Sequence, residues 1–114
     1  MSRPPPHKFY DDRSLALHRL IAIRLREEPA LLNMGQQTLD RWKLVSPNES
    51  TDREWTELLA SGLDPVIAAT TENSHEGRRL RQSSPLLSVL SIDERNAIRA
   101  RFEAEYSARV DAVK

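Results

Sequence analysis

The sequence predicts an all-α fold: a compact orthogonal bundle of about five to seven helices with a long C-terminal helix. Three observations carry this. No stretch alternates apolar and polar residues with the period of two that a half-buried strand requires. Apolar residues recur instead at three- and four-residue spacing along most of the chain. Helix-start signals recur as well, including two capping boxes, Thr51-x-x-Glu54 and Ser91-x-x-Glu94. The three glycines include no Asn-Gly or Asp-Gly hairpin turn.

The elements follow in order. Residues 1–10, with Pro4, Pro5 and Pro6, read as a flexible proline-rich tail, because consecutive prolines favour extended backbone. Residues 11–114 read as a single helical domain. Asp11 and Asp12 offer N-cap oxygens for a first helix, in which Leu17, Ile21 and Leu25 form a stripe widened by Leu15, Ala22 and Ile23. Pro29 stops that helix and begins the next, so the two meet at a corner with almost no linker. The second helix carries a stripe of Leu31, Gly35, Thr38, Trp42 and Val45. Gly35 costs up to about 1 kcal/mol in helix propensity, which close approach of another helix backbone would explain.

Thr51 caps a third helix bearing Trp55, Leu58 and Leu59, and Gly62 ends it at the position past the last helical residue. Asp64-Pro65 opens a fourth, burying Val66 and Ile67. Ser74 caps a fifth, SHEGRRLRQ, which stops before Pro85; PLLSVL then forms an apolar turn. Ser91 and Glu94 open the last helix, with Ile98, Phe102, Tyr106 and Val110 spaced by four. Its far end offers Tyr106, Val110 and Val113 as a homodimer surface. Trp42 and Trp55 are expected to be the two large packing units in a core otherwise built from Leu, Ile, Val and Ala, since aromatic residues make up only 5% of the chain.

At 114 residues the chain is one domain that can hide roughly two-thirds of its unfolded surface. Without cysteine it can form neither a disulfide nor a thiolate zinc site, and a reducing cytoplasm is the expected location. No apolar run approaches the ~20 residues of a membrane span. The zero net charge conceals a gradient: +4 over residues 1–26, −7 over 27–76 and +3 over 77–114. A protein that coats nucleic acid normally shows an overall cationic excess, which is absent here; basic ends around an acidic middle suit a polar protein partner as well as they suit DNA. Pairing between the segments within one molecule is the competing explanation.

Catalysis is not expected, and neither is a cofactor. There is no HExxH, no His pair at i and i+4, no P-loop, no GxGxxG and no GxSxG. The paired carboxylates are neighbours in sequence and point about 100° apart on a helix, so they do not converge. His18 falls on the apolar side of the first helix, where a core histidine held by a nearby hydrogen bond is the expected role and a general base or ligand the alternative.

The interaction chemistry concentrates between Arg78 and Arg101. Arg78, Arg81 and Gln82 share one helical face, Ser84 adds a donor before Pro85, and Arg95 and Arg99 follow on the last helix. Arginine presents a planar fork to carboxylate or phosphate. These six residues are the expected partner contacts. A structural role competes for one arginine: Arg79 or Arg81 folding inward to tie off helix-end carbonyls, with the serines capping the turn. A DNA-binding regulator using residues 91–101 is the alternative function, because Arg95, Asn96 and Arg99 give that helix a basic face after a turn. The turn near Gly62 leads instead into PVIAATTEN, which has no base to reach phosphates.

Asp12-Arg13-Ser14, Leu17-His18, Ile21-Ala22, Trp42, Trp55 and Leu80-Arg81-Gln82-Ser83-Ser84-Pro85 carry a resemblance over roughly residues 9–102. By these residues the chain resembles small, uncharacterised all-helical bacterial proteins that look like the antitoxin-like partner of two-gene toxin–antitoxin units. The resemblance implies a protein-binding role, with a toxin as the partner, and assigns no contact residues.

Overall fold

The first helix, α1, runs from His7 to Glu27, starting a turn ahead of the Asp11–Asp12 cap that the sequence suggests. This corrects residues 7–10 from tail to helix. Pro6, in an extended conformation, caps the helix, and Phe9 is buried against the rings of Phe102 and Tyr106, with centroids 6.3 and 5.3 Å away. That aromatic packing rewards the extra turn. The structure, a computed structural model, describes residues 6–113. The expected tail at 1–5 lies outside the described residues, as does the side chain of Val113.

Glu28 ends α1, and Pro29–Leu31 forms one 3-10 turn that opens α2, Leu32–Val45. Next come α3 (Glu49–Ala60), α4 (Leu63–Thr71), α5 (His75–Gln82), a 3-10 segment (Pro85–Val89) and α6 (Ile92–Val113). Six α-helices and no strand are present among the described residues.

Two of the expected caps, Ser74 and Ser91, stand where the sequence marks them; the caps of α1, α3 and α4 are displaced, and α4 is capped by Gly62 with Asp64 and Pro65 already inside its first turn. Ser91 Oγ accepts from the Glu94 amide at 3.0 Å while Glu94 Oε1 accepts from the Ser91 amide at 3.1 Å, a complete capping box. Ser74 Oγ accepts from the Gly77 amide at 3.0 Å. At α3, however, Asn48 replaces Thr51 as the cap: its side chain accepts from the Thr51 amide, and Asp52 accepts from the Asn48 amide. The helix thereby gains a turn, and Glu54 is released for another role. Gly62 is the one described residue with positive φ, 105°, where any side chain would be strained. It separates α3 from α4.

The core gathers around Trp55, Ile21, Leu25, Leu39, Val66 and Leu86. Each such aliphatic side chain contributes roughly 1.5–3 kcal/mol on burial. The Pro85–Val89 segment is central: it packs on both α1 and α2. A Cβ on Gly35 would stand 2.7 Å from Leu86 Cδ2, so this glycine makes room for a side chain of the 3-10 segment rather than for a helix backbone. Thr38 Oγ1 donates to Ser88 Oγ at 2.9 Å beside it. The far end of α2 leaves the core after Leu39: Trp42 is 42% exposed, with Leu44 and Val45 also in solvent. Trp55 is fully buried as expected; Trp42 is not a core unit.

α6 packs against α1 in antiparallel fashion. Arg24 near the end of α1 holds Glu94 at the start of α6, with Nε and Nη2 2.8 and 2.7 Å from Oε2, and Phe9 meets Phe102 and Tyr106 at the opposite end.

Candidate partner-binding surface

The fold gives the three arginines of α5 three different fates. Arg79 leaves toward α3 and grips Glu54 through both terminal nitrogens, at 2.8 and 2.7 Å, while also reaching Glu76 at 2.8 Å. The displaced cap of α3 is what frees Glu54 for this pair. Hydrogen bonding to Arg79 holds the Glu54 and Glu76 carboxyls below their usual range and raises the guanidinium in turn.

Arg81 turns inward. It is 5% exposed, and its Nη1 donates to the carbonyls of Thr70 and Glu72 at 3.1 and 2.8 Å. Those carbonyls close the C-terminus of α4, whose last turn has no amide partners of its own. Burial lowers the Arg81 pKa. This overturns Arg81 as an outward contact; it is the arginine that ties off helix-end carbonyls. Ser84 is likewise buried, its Oγ accepting from the Leu86 amide at 3.1 Å, so it caps the 3-10 segment and is unavailable to a partner.

Arg78 and Gln82 remain, one turn apart on α5. Gln82 is exposed and Arg78 half-buried. They face the first turns of α1 across an open depression of about 440 Å³ lined by His7, Asp11, His75, Arg78, Arg79 and Gln82. A second hollow of about 300 Å³ adjoins it, again with Asp11 and Arg78 in its wall and Lys8 and Asn73 beyond them. The Arg78 guanidinium makes no hydrogen bond or ion pair among the described residues.

Arg95 and Arg99 do not join this site. Both are half-buried on the first turns of α6, and Arg95 Nε lies 3.5 Å from the Ser91 carbonyl. Their neighbour Glu94 is anchored on Arg24, thirteen residues from Asp11 along α1, or about 20 Å of helix. The residues of 92–101 turned to solvent are Ile92, Asp93, Asn96, Ala97, Ala100 and Arg101.

Among the residues lining the two hollows, His7, Lys8, Asp11, Asn73 and His75 are not marked as contacts by the sequence. The signal for three of them was the core stripe of α1. Stepping back from Leu25, Ala22, His18 and Leu15 by threes and fours arrives at Asp11 and then at His7 and Lys8. The three prolines just before disguised that continuation.

His18 sits in the core, 1% exposed, with Nδ1 donating to the Ser14 carbonyl at 2.8 Å. That bond assigns the proton to Nδ1 and leaves Nε2 as a buried acceptor without a partner, as is the Nε donor of Arg81. Burial, and secondarily the Arg81 charge, push its pKa down to about 4, so the ring is neutral at neutral pH. Among the described residues no group of three or more His, Asp or Glu could hold a metal ion, and no helix is long and apolar enough to cross a membrane. No family model, curated protein or solved structure matches this chain.

Proposed function

We propose that this chain is a non-catalytic protein-binding module, an antitoxin-like neutraliser of a partner protein, and that Arg78 and Gln82 form the centre of the contact. The observation behind this reading is the division of labour on α5. Arg79 and Arg81 are consumed by the fold, whereas Arg78 stands at the wall of an open polar basin with its fork unclaimed. A guanidinium in that position receives a carboxylate from a partner surface through two parallel hydrogen bonds. His7, His75 and Gln82 line the same depression and add hydrogen-bonding groups around it, while Asp11 repels an oversized anionic patch and rewards a mixed one.

The non-catalytic reading draws on His18. The residue best suited to acid–base work is enclosed in the core, where substrate does not reach it. The cysteine-free sequence supports a reducing, cytoplasmic setting. The toxin-like identity of the partner rests on the resemblance alone. Regulation through DNA gains little from α6, because Arg95 and Arg99 are half-buried and Arg101 is the one fully exposed arginine over 92–101, beside the carboxylate of Asp93. A homodimer through the far end of α6 would rely on Val110, because the Tyr106 ring is engaged by Phe9.

The experiment is co-expression with the product of the adjacent gene. Wild-type protein is expected to co-purify with that product and to relieve any growth arrest it causes. Arg78→Glu with Gln82→Glu is expected to abolish both while keeping the wild-type melting temperature. Full retention of the complex by the double variant would refute the assignment.

A further inference from the structure

α1 and α6 form a two-helix pair with a groove along one side. On α1, Lys8, Asp12, Ala16, Arg19 and Ile23 follow one another at spacings of four, four, three and four, which puts them on a single edge of the helix. Two hollows lie along that edge. One, of about 390 Å³, is bounded by Ala16, Arg19, Leu20 and Ile23 with Ile98 and Arg101 of α6. The other, of about 130 Å³, lies where Phe9 meets Phe102 and Tyr106, with Lys8 and Arg109 at its margin. The floor is therefore aliphatic at one end and aromatic at the other, and Ile23 is 49% exposed upon it.

The rims are cationic. Among the described residues lining the two hollows, Lys8, Arg19, Arg101 and Arg109 stand against a single acid, Asp12. Asp12 is already taken by Lys8 at 2.9 Å, and Glu105 stands 4.0 Å from Arg101. Arg19 and Arg109 have no hydrogen-bonding or ion-pair partner among the described residues. From Lys8 to Ile23 the edge is about 22 Å long, the length of a four-turn helix.

We infer that this groove is the docking site for an acidic amphipathic helix of a partner protein. An apolar stripe at i, i+3, i+4 and i+7 would cover Ile23, Ile98 and the aromatic rings, as a third helix covers the seam between two others. Asp and Glu flanking that stripe would meet Arg19, Arg101 and Arg109. Charge decides against a second copy of this chain: a two-fold axis sets each rim against its own kind, cation facing cation. The inference is independent of the role given to Arg78, which lies on the other side of the Lys8–Asp12 pair.

The test uses the full chain and two synthetic helical peptides of roughly 18 residues, identical in their Leu/Ile stripe, one flanked by Glu and the other by Lys. The Glu-flanked peptide is expected to bind, more weakly as salt rises, and the Lys-flanked peptide to bind at least tenfold less well. Ile23→Asp, and separately Arg19→Glu with Arg101→Glu, are expected to weaken binding tenfold or more with unchanged circular dichroism. Arg78→Glu is expected to leave it as in wild type. The inference is overturned if the two peptides bind alike or neither binds, or if Arg78→Glu alone abolishes binding. It is equally overturned if Ile23→Asp instead dissolves a dimer seen in sedimentation, or removes binding to phosphatidylserine vesicles that the peptides do not share.

Discussion

Ser83 Oγ accepts a hydrogen bond from Trp55 Nε1 at 2.9 Å, fastening the end of α5 to the fully buried ring of α3. The bond joins residues 28 apart and gives the indole its hydrogen-bond acceptor. Ser83→Ala would leave a buried donor unsatisfied, at a cost of about 1–3 kcal/mol. Ser83→Thr keeps the oxygen and should lose less. Urea denaturation followed through Trp fluorescence reads both.

Two glycines lie inside helices, and they should respond differently to an added methyl. At Gly77 a Cβ would stand 2.0 Å from the Glu72 carbonyl oxygen, which is backbone and cannot retreat without disturbing the α4–α5 turn. Gly77→Ala is expected to destabilise by about 1–3 kcal/mol, in the range of overpacked cores. At Gly35 the obstruction is a terminal methyl of Leu86, which can rotate, and the alanine also improves helix propensity. Gly35→Ala should therefore fall well short of Gly77→Ala in thermal melts.

Arg81 and Arg78 are three residues apart yet predict opposite outcomes. Arg81→Met removes the donor that closes α4 and leaves the Thr70 and Glu72 carbonyls wanting, with an expected loss on the order of 3 kcal/mol. Arg78→Met breaks no intramolecular bond and should stay within about 0.5 kcal/mol of wild type. Parallel denaturation curves decide the comparison.

His18 makes stability depend on pH. Its folded pKa, about 4, lies below the ordinary 6.5, so between those values the unfolded chain takes up a proton that the folded chain refuses. Stability falls as pH falls across that window, by on the order of 3 kcal/mol in total, and this contribution to the loss is complete below about pH 4. The depressed carboxyls of Glu54, Glu76 and Glu94 lose their stabilisation on further acidification, as each is protonated. The difference between wild type and His18→Leu, measured at pH 7.5, 6 and 5, should shrink on acidification as the wild type weakens.

How much of this was legible beforehand depended on whether the deciding force was local. The Ser91–Glu94 box, the Ser74 cap and the Gly62 turn are set by residues within four positions, and they could be read directly. Helix α1 began early because Phe9 found two rings near the other end of the chain, a gain that no N-terminal pattern records. The stripe on α2 is correct in period but not in extent: it marks the face but not where the core ends along it, between buried Leu39 and half-exposed Trp42. For the site, the arginines were identifiable by type but not by direction. Arg81 was claimed by α4 carbonyls and Arg79 by a glutamate on α3, both contacts between elements. What remained, Arg78 and Gln82, found companions on α1 that only the three-dimensional arrangement supplies.

The Pro85–Val89 segment lies against both α1 and α2, and Leu86 fills the notch at Gly35. During synthesis the first two helices emerge long before the residues that join them. Any chain in which residues 85–89 are missing or displaced therefore keeps the facing sides of α1 and α2 uncovered, so the core closes in one step when this wedge seats.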